Sequence, residues 1–361
     1  MCLAGPSMDI MGGQAVQLAR LLERLRGTEG IDVEFLPMNP RLPGPLRLLQ
    51  KVKYLRTLAT SAGYWSLLLT KVRRYDVVHA FSPSYWAFLL GPVPALLVAR
   101  AYGRGALLNY HSGEAEDHLM NWRTAKPLAK LAHRIVVPSG YLRDVFARFG
   151  LEAEPIHNFV DASSLPFRQR DQLRPAFLSN RNFEPHYNVS CCLRAFAAVQ
   201  QQVPSASLVV AGYGSQRTKL EELAGSLKLT NVRFTGRVSP AEMANLLDDA
   251  DILLNSPDID NMPLSLIEAQ AAGLPIVSTS TGGIPYIVKD GETGLLVPPG
   301  DDQAMARAAL RLLREPGLAA RLTSAARESC LEQFSWTAVE ESWLRVYREL
   351  ARHRSSQPAT T

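Results

Sequence analysis

The sequence lacks several features that would assign it to a specialised class of protein. Its four cysteines show neither metal-ligand spacing nor the pattern of a disulfide framework. They are Cys2, Cys191, Cys192 and Cys330. No apolar run approaches the roughly 20 residues of a membrane-spanning helix, and the first residues lack the charged and hydrophobic regions of a signal peptide. We therefore expect a cytoplasmic protein, either soluble or peripheral on the inner face of the cell membrane.

A dinucleotide-binding loop is also missing. The clearest candidate, Gly212-Tyr213-Gly214, has no third glycine in the position that a G-x-G-x-x-G motif requires. Histidine clusters with metal-ligand spacing are absent as well. The sequence thus disfavours a dinucleotide-dependent dehydrogenase and indicates neither a metal nor a cofactor.

The length and composition are those of an ordinary globular protein. The 361 residues, 47% of them hydrophobic, are enough to bury two cores. Strand and helix signals alternate along the chain with short turns between them, a pattern that predicts right-handed βαβ units and parallel sheets. We predict one doubly wound domain at 1–162 and a second at 173–333, joined by a polar linker within 163–174. A helix with an apolar stripe is predicted over 334–352.

The net charge of +5 is unevenly distributed along the chain. Residues 41–74 contain eight Lys or Arg and no Asp or Glu, with leucine, tyrosine and tryptophan between them. Basic amphipathic segments of this kind can lie on anionic membrane surfaces, although a helix with a solvated basic face explains the same residues. Residues 41–74 are therefore a candidate for peripheral membrane contact. Because no recognised nucleic-acid-binding module accompanies the charge, we expect no nucleic-acid partner.

The most informative stretch is 256–301. It predicts a loop, a helix, a buried strand, a glycine turn, a short helix and a second strand. Pro263 suits the first turn of the helix and Gly273 its end, with Asp260 in the preceding loop and Glu268 one turn inside. The free N–H groups at the start of this helix carry the positive end of its dipole, which suits a phosphate group. The alternative to a phosphate site is an ordinary βαβ unit whose charged side chains are simply solvated.

Two positions in the first domain are further candidates for ligand contact. Gly12-Gly13 precedes a predicted helix, so that backbone can approach a ligand closely there. His111 directly follows a predicted strand at 106–110. It lies at the carboxyl end of that strand, where doubly wound sheets bind ligands, although a polar strand cap is the simpler explanation.

The stretch 256–301 resembles the donor-binding motif of the retaining glycosyltransferases of family 4, which have the GT-B fold. Glu268 matches the second of two spaced acids, Gly282-Gly283 the glycine turn, and 290–301 matches almost letter for letter. The sequence departs from the pattern at Asp260 and Tyr286, where Glu is usual. The resemblance extends in order over nearly the whole chain and implies two facing Rossmann-like domains. It also implies that the helix at 334–352 crosses back onto the N-terminal domain.

The resemblance implies a role for each candidate residue. Glu268 would bind the donor ribose and Asp260 the sugar hydroxyls, while Arg181 would balance the diphosphate. The usual lysine that follows is missing, and either His186 or Tyr187 takes its place. His111 would lie beside the transferred sugar. The remaining implied donor contacts are made by backbone at Gly12, Gly13, Gly236, Arg237, Asn261, Met262, Pro263 and Leu264.

The resemblance implies an enzyme that moves a sugar, with its configuration retained and without a metal, from a nucleotide donor to an acceptor hydroxyl. A UDP-sugar is the expected donor, and the acceptor is a glycan, a lipid-linked molecule or a small molecule, as in polysaccharide biosynthesis. Because the lysine is missing and residue 260 is Asp rather than Glu, an alternative interpretation is a catalytically inactive GT-B protein that binds a nucleotide or a glycan. An epimerase or phosphorylase of the same fold would need extra carboxylates or a cofactor-binding lysine, and neither is found.

Overall fold

The computed structural model describes residues 1–7 and 12–352. By its internal contacts the chain divides into two units. The first consists of Met1–Asn158 together with the chain from Val339 onward, and the second is Phe159–Ala338. None of the helices within the described ranges is both long and apolar enough to cross a bilayer.

The first unit is built on a six-stranded parallel sheet with the order β2-β1-β3-β4-β5-β6. Its strands are β1 Cys2–Gly5, β2 Glu34–Pro37, β3 Val77–Ser82, β4 Gly105–Tyr110, β5 Arg134–Val137 and β6 Glu154–Pro155. Every residue of β1, β3 and β4 is buried, as expected for strands covered by helices on both faces.

The helices of this unit are α1 Gly13–Arg26, α2 Lys53–Lys71, α3 Tyr85–Leu90, α4 Pro92–Ala101, α5 Ala115–Asn121, α6 Ala125–Ala129 and α7 Gly140–Arg148. Short 3-10 helices at Gly44–Lys51 and Val72–Arg74 flank α2. The helical stretch from Tyr85 to Ala101 is divided into two helices, because Pro92 starts a new one and has no N–H to continue the first.

The second unit has the same architecture, with the strand order β12-β11-β10-β7-β8-β9 and all pairings parallel. Its strands are β7 Ala176–Ser179, β8 Ser207–Ala211, β9 Val232–Gly236, β10 Ile252–Asn255, β11 Ile276–Thr279 and β12 Leu295–Val297. Its helices are α8 Val189–Gln202, α9 Arg217–Ser226, α10 Pro240–Asp249, α11 Leu264–Ala271, α12 Asp302–Arg314 and α13 Leu318–Gln333. Two doubly wound parallel sheets confirm the predicted α/β class.

The last described helix, α14 (Trp336–Arg352), starts in the second unit and packs on the first sheet. Tyr347 Oη lies 3.0 Å from Nδ1 of the buried His79 on β3. A Cβ placed on Gly105, the first residue of β4, would lie 2.9 Å from the Leu350 Cβ, so only glycine lets the helix approach this closely. The buried face is Val339, Trp343, Val346, Tyr347 and Leu350.

The segment predicted as a polar linker, 163–174, is bound to the second unit. Arg168 and Arg174 both pair with the buried Asp251, which directly precedes β10. The fully buried guanidinium of Arg170 donates to the carbonyl oxygens of Leu247, Ala250, Ala272 and Gly273. This segment thus donates hydrogen bonds to carbonyl groups at the ends of helices and loops of the second unit. The chain crosses from the first unit to the second earlier, between Asn158 and Phe159.

Candidate functional site

The candidate donor site of the second unit is centred on the loop between β10 and α11. Pro263 is the last residue before the helix (φ −66°, ψ 120°), and the helix begins at Leu264, one position after the predicted start. Asn261 and Met262 are buried, and the Asn261 N–H donates to Asp260 Oδ1 at 2.8 Å. This hydrogen bond fixes the Asp260 carboxylate beside the start of the helix.

Arg181 connects the end of β7 with this loop and with α11. Its Nη2 forms an ion pair with Asp260 Oδ2, and its Nη1 donates to Ser265 Oγ at 3.1 Å. The Arg181 side chain is 9% exposed, and its buried Nε has no hydrogen-bond partner. Arg181, predicted to bind the diphosphate, and Asp260, predicted to bind the sugar, therefore form a charge-compensated ion pair, in which the Arg181 Nε–H remains an unused donor.

The structure distinguishes between the two residues that could replace the missing lysine. The Tyr187 ring lies under the Arg181 guanidinium, 4.0 Å from ring centroid to guanidinium carbon. His186 instead uses its backbone carbonyl, which accepts from the Asp258 N–H at 2.8 Å. Burial raises the pKa of Tyr187, so the phenol is neutral and supplies a hydroxyl rather than a positive charge.

The glycine turn holds the acidic loop by direct backbone contact. A Cβ on Gly282 (φ +51°) would lie 2.0 Å from the carbonyl oxygen of Asp260, and a Cβ on Gly283 equally close to that of Asn261. The Gly283 N–H also donates to the Asp260 carbonyl at 3.1 Å. Any larger residue at either glycine would displace the loop that carries the acid.

Glu268 is half-buried and lies three residues after Ser265 on α11. Residues three apart share a helix face, so Glu268 is on the side of α11 that Arg181 contacts. Ser265 was not anticipated from the sequence. Its position one turn before Glu268 on the same face is the signal that could have identified it.

Gly236 and Arg237, two of the implied donor contacts, lie at the same edge of the second sheet. Gly236 (φ +74°) ends β9, and its carbonyl accepts from the Gly212 N–H at 3.1 Å. The Arg237 guanidinium stacks over Tyr213 at 4.2 Å. A Cβ on Gly212 would lie 2.1 Å from the Arg181 carbonyl oxygen, so the loops after β7, β8 and β9 are in contact. The fold thus brings Gly236 and Arg237 together with Arg181.

His111, Gly12 and Gly13 belong to the first unit. The His111 N–H donates to the Ser82 carbonyl at 3.1 Å, and its ring stacks on Phe81 with 5.2 Å between centroids. Burial lowers the pKa of His111 from 6.5 to about 3, so the imidazole is neutral, and its Nε2 has no partner. Among the residues that the structure describes, no atom lies within 4 Å of a Cβ added to Gly12 or Gly13.

Asp258 and Asp260 have an Asp-x-Asp spacing, and carboxylates are the ligands that divalent cations prefer, so a metal site is conceivable here from the sequence. Asp258 Oδ1 accepts instead from Asn188 Nδ2 at 3.0 Å, and Asp260 pairs with Arg181. Within 1–7 and 12–352 no group of three His, Cys, Asp or Glu side chains could hold a metal ion. The groups that the structure places at this site are an arginine, a helix N-terminus, two carboxylates and a tyrosine.

Two family models match consecutive parts of the chain. The model described as Glycosyltransferase Family 4 matches 11–164, and that described as Glycosyl transferases group 1 matches 166–329. The phosphatidyl-myo-inositol mannosyltransferase of Mycobacterium leprae is 27% identical over 96% of this chain and 95% of that protein. A glycogen synthase of Mycobacterium tuberculosis is 29% identical over 79% of this chain and 72% of that protein.

Solved structures of the GT-B fold superimpose on nearly the whole chain. Anabaena Alr3699/HepE, crystallised with UDP and glucose, has a TM-score of 0.75 at 17% identity and covers 97% of this chain and 99% of its own. Sucrose-phosphate synthase from Thermosynechococcus elongatus has a TM-score of 0.75 at 21% identity, covering 97% and 98%. These likenesses confirm the predicted GT-B fold class.

Proposed function

We propose that this chain, whose two consecutive parts match the Family 4 and group 1 glycosyltransferase models, transfers a sugar from a UDP-sugar to an acceptor hydroxyl with retention of configuration. The observation that carries the proposal is the Arg181–Asp260–Ser265 cluster at the start of α11, stacked on Tyr187. UDP and glucose in the Anabaena relative support the choice of nucleotide.

The cluster supplies what loss of a nucleoside diphosphate requires. Negative charge grows on the leaving phosphate in the transition state, and Arg181 with the N–H groups at the start of α11 stabilises it there. A phosphate oxygen would also satisfy the unpartnered Arg181 Nε. Glu268, on the same face of α11, binds the ribose hydroxyls. Tyr187 donates a neutral hydrogen bond where related enzymes have a lysine.

We propose a front-face displacement without a covalent sugar intermediate. Asp260 is tied to Arg181 and to its neighbouring N–H, so its charge is compensated rather than available for attack. Retaining hydrolases that form an adduct use a second carboxyl about 5–5.5 Å away. Mass spectrometry of the enzyme quenched during turnover should show no sugar on Asp260, and an adduct there would overturn this mechanism.

The test of donor choice is a thermal-shift screen with UDP, GDP and ADP in the absence of metal. A ligand that binds only the folded state adds about 2.7 kcal/mol of stability at a hundredfold excess over its dissociation constant. UDP should raise the melting temperature, and Glu268→Ala should abolish the shift. Glu222→Ala is the matched control, because it removes an exposed carboxylate of α9. The absence of a shift with every nucleotide would contradict the proposal.

We further propose that the enzyme works at an anionic membrane, which it contacts through the basic surface formed by residues 41–74. One face of α2 packs inward through Tyr64 and Leu68. The rest of the segment exposes many large apolar side chains, including Tyr54 at 79% and Leu58 at 69%. The others are Leu46, Leu48, Leu49, Val52, Leu55, Trp65 and Leu69. With eight basic residues and no acid in the segment, this surface fits anionic lipid headgroups.

Flotation with liposomes tests this membrane contact. The wild-type protein should float with vesicles that contain an anionic phospholipid, and added salt should weaken the association. The variant Arg47→Glu/Lys51→Glu/Arg56→Glu should lose it, because each basic residue contributes about 1 kcal/mol near such a surface. Lys219→Glu/Arg233→Glu/Arg307→Glu is the control, with three exposed basic residues changed in the second unit. Equal flotation of the two triple variants would contradict this contact.

A further inference from the structure

An aromatic corner lies at the carboxyl edge of the first sheet. We give this name to Tyr85, Trp86, His118 and Trp122. Tyr85 and Trp86 follow the end of β3, whereas His118 and Trp122 follow the end of β4. The Trp86 and Trp122 rings meet edge to face at 5.4 Å, and Trp122 contacts His118 at 5.6 Å. Trp86 is 69% exposed, an unusual position for so large an aromatic surface.

His118 lies beneath the exposed rings and is fully buried. Its Nδ1 is 2.9 Å from the hydroxyl of Tyr110, which is in turn 2.7 Å from Ser84 Oγ. This chain fixes the imidazole orientation and leaves Nε2 without any partner. A buried polar atom without a partner is a standing cost to the fold, which a ligand hydroxyl would remove.

The backbone at the corner is strained. Tyr85 has φ +57°, in the left-handed region that a tyrosine rarely adopts, and its hydroxyl donates to Asp117 Oδ2. Strain of this kind persists where the surrounding contacts enforce it and is common at ligand sites. The hydrogen bond places a carboxylate against Tyr85 of the aromatic corner, and Asn121 Nδ2 donates to the other oxygen of that carboxylate at 2.6 Å.

We infer that the aromatic corner is the acceptor site of the enzyme and takes a six-membered polyhydroxylated ring. The inference rests on the proposed function. An exposed indole offers a flat apolar face to the C–H side of such a ring, while Asp117 accepts from its hydroxyls. His118 Nε2 bonds a further hydroxyl when the strained Tyr85 moves aside. Both strands that carry the corner end at the edge where His111 also lies, which places it among the ligand-binding loops of this sheet.

The test is saturation-transfer NMR with UDP present and three probes: methyl α-glucopyranoside, methyl α-mannopyranoside and myo-inositol. The glycosides and the cyclitol distinguish the two sources of a polyhydroxylated ring. At least one probe should receive saturation from the wild-type protein. Trp86→Ala should weaken its binding about tenfold or more, and His118→Phe, which keeps a ring but removes Nε2, should weaken it less. Leu97→Ala is the control, an exposed apolar side chain removed from α4 of the same unit, and should bind like the wild type.

The UDP-induced thermal shift separates this inference from the proposed function. An intact shift in Trp86→Ala together with lost probe binding supports the acceptor site. An intact shift with unchanged probe binding in Trp86→Ala, or with no probe bound by the wild type, overturns it and leaves the donor proposal standing. Loss of liposome flotation in Trp86→Ala with full probe binding would assign the corner to the membrane instead. Absence of any nucleotide shift in the wild type would be a failure of the proposed function itself.

Discussion

The two units share a fold but build their candidate sites from different materials. In the second unit, charged groups are held by glycines whose backbone touches the backbone of neighbouring loops, as at Gly283 and Gly212. In the first unit the candidate site consists of neutral aromatic rings and imidazoles, as at the partly buried His111 and the buried His118. An anion must be met by charges in fixed positions, whereas a sugar ring is met by flat surfaces. The second unit therefore suits the proposed donor phosphate, and the first unit suits the proposed acceptor ring.

The largest expected effect comes from breaking the glycine support of the second unit. Gly283→Ala places a Cβ 2.0 Å from the Asn261 carbonyl, so the acidic loop must move. We expect sugar transfer to fall by about 1,000-fold or more, because displacement by even 1 Å costs about 100-fold. Kinetic assays with the matched Gly225→Ala variant provide the control, since that added Cβ on α9 meets no atom. Near-wild-type activity of Gly283→Ala would show that the loop position is not critical.

Removal of the cation is the next largest change. Arg181→Gln keeps a donor of similar length but loses the charge that stabilises the leaving diphosphate. The kcat should fall by about 100- to 1,000-fold, the usual cost of removing one such stabilising group. Asp260 would also lose its partner, so the melting temperature should decrease. A kcat within a few fold of the wild type would indicate that the start of α11 carries the leaving group without Arg181.

Acid should weaken the first unit before the second. Burial lowers the pKa of His79, His111 and His118, so the unfolded chain takes up more protons than the folded one below pH 6.5. Stability is therefore lost as pH falls. Between pH 7 and pH 5 each histidine should cost about 2 kcal/mol. His111→Phe should lose that much less in denaturant titrations followed by tryptophan fluorescence. Four of the five tryptophans lie in this unit, and equal acid sensitivity of the variant would contradict the prediction.

The smallest expected effect is an increase in UDP affinity and in kcat. Tyr187→Lys restores a cation beside the diphosphate, and we expect UDP to bind a few fold more tightly, with an increase in kcat of similar size. Because the lysine would also repel Arg181, the protein without nucleotide should melt at a slightly lower temperature. Isothermal titration with UDP measures the first effect, with Tyr187→Phe as the control for loss of the hydroxyl. Weaker binding by Tyr187→Lys than by Tyr187→Phe would show that the stacked phenol is the better partner for Arg181.

The difference between the units also explains what the sequence reveals. The order of elements around the candidate donor site could be predicted because Asp260, Glu268 and Gly282-Gly283 lie within one contiguous stretch, and the structure reproduces that order. The pairing of Arg181 with Asp260 joins residues 79 apart and follows from the strand order, which places β7 beside β10.

The aromatic corner could not be predicted in the same way. Tyr85 and His118 come from segments that appear as unrelated helix starts in the sequence, and neither has a motif spacing. Only the pairing of β3 with β4 brings the ends of those strands together. The sequence also leaves open whether His186 or Tyr187 lies against Arg181. The structure shows the Tyr187 ring there, and this depends on side-chain direction, which residue spacing does not predict.

The helix α14 has a consequence for the order in which the chain acquires its structure. Residues 339–352 cover His79 and Gly105 of the first sheet, yet they leave the ribosome after the whole second unit. The second unit is contiguous and can complete its core as soon as it emerges. Most of the first unit is synthesised earlier, but one face of its sheet stays uncovered until α14 has been synthesised. The first unit can therefore complete its core only after the last helix has been synthesised, although most of its residues are made first.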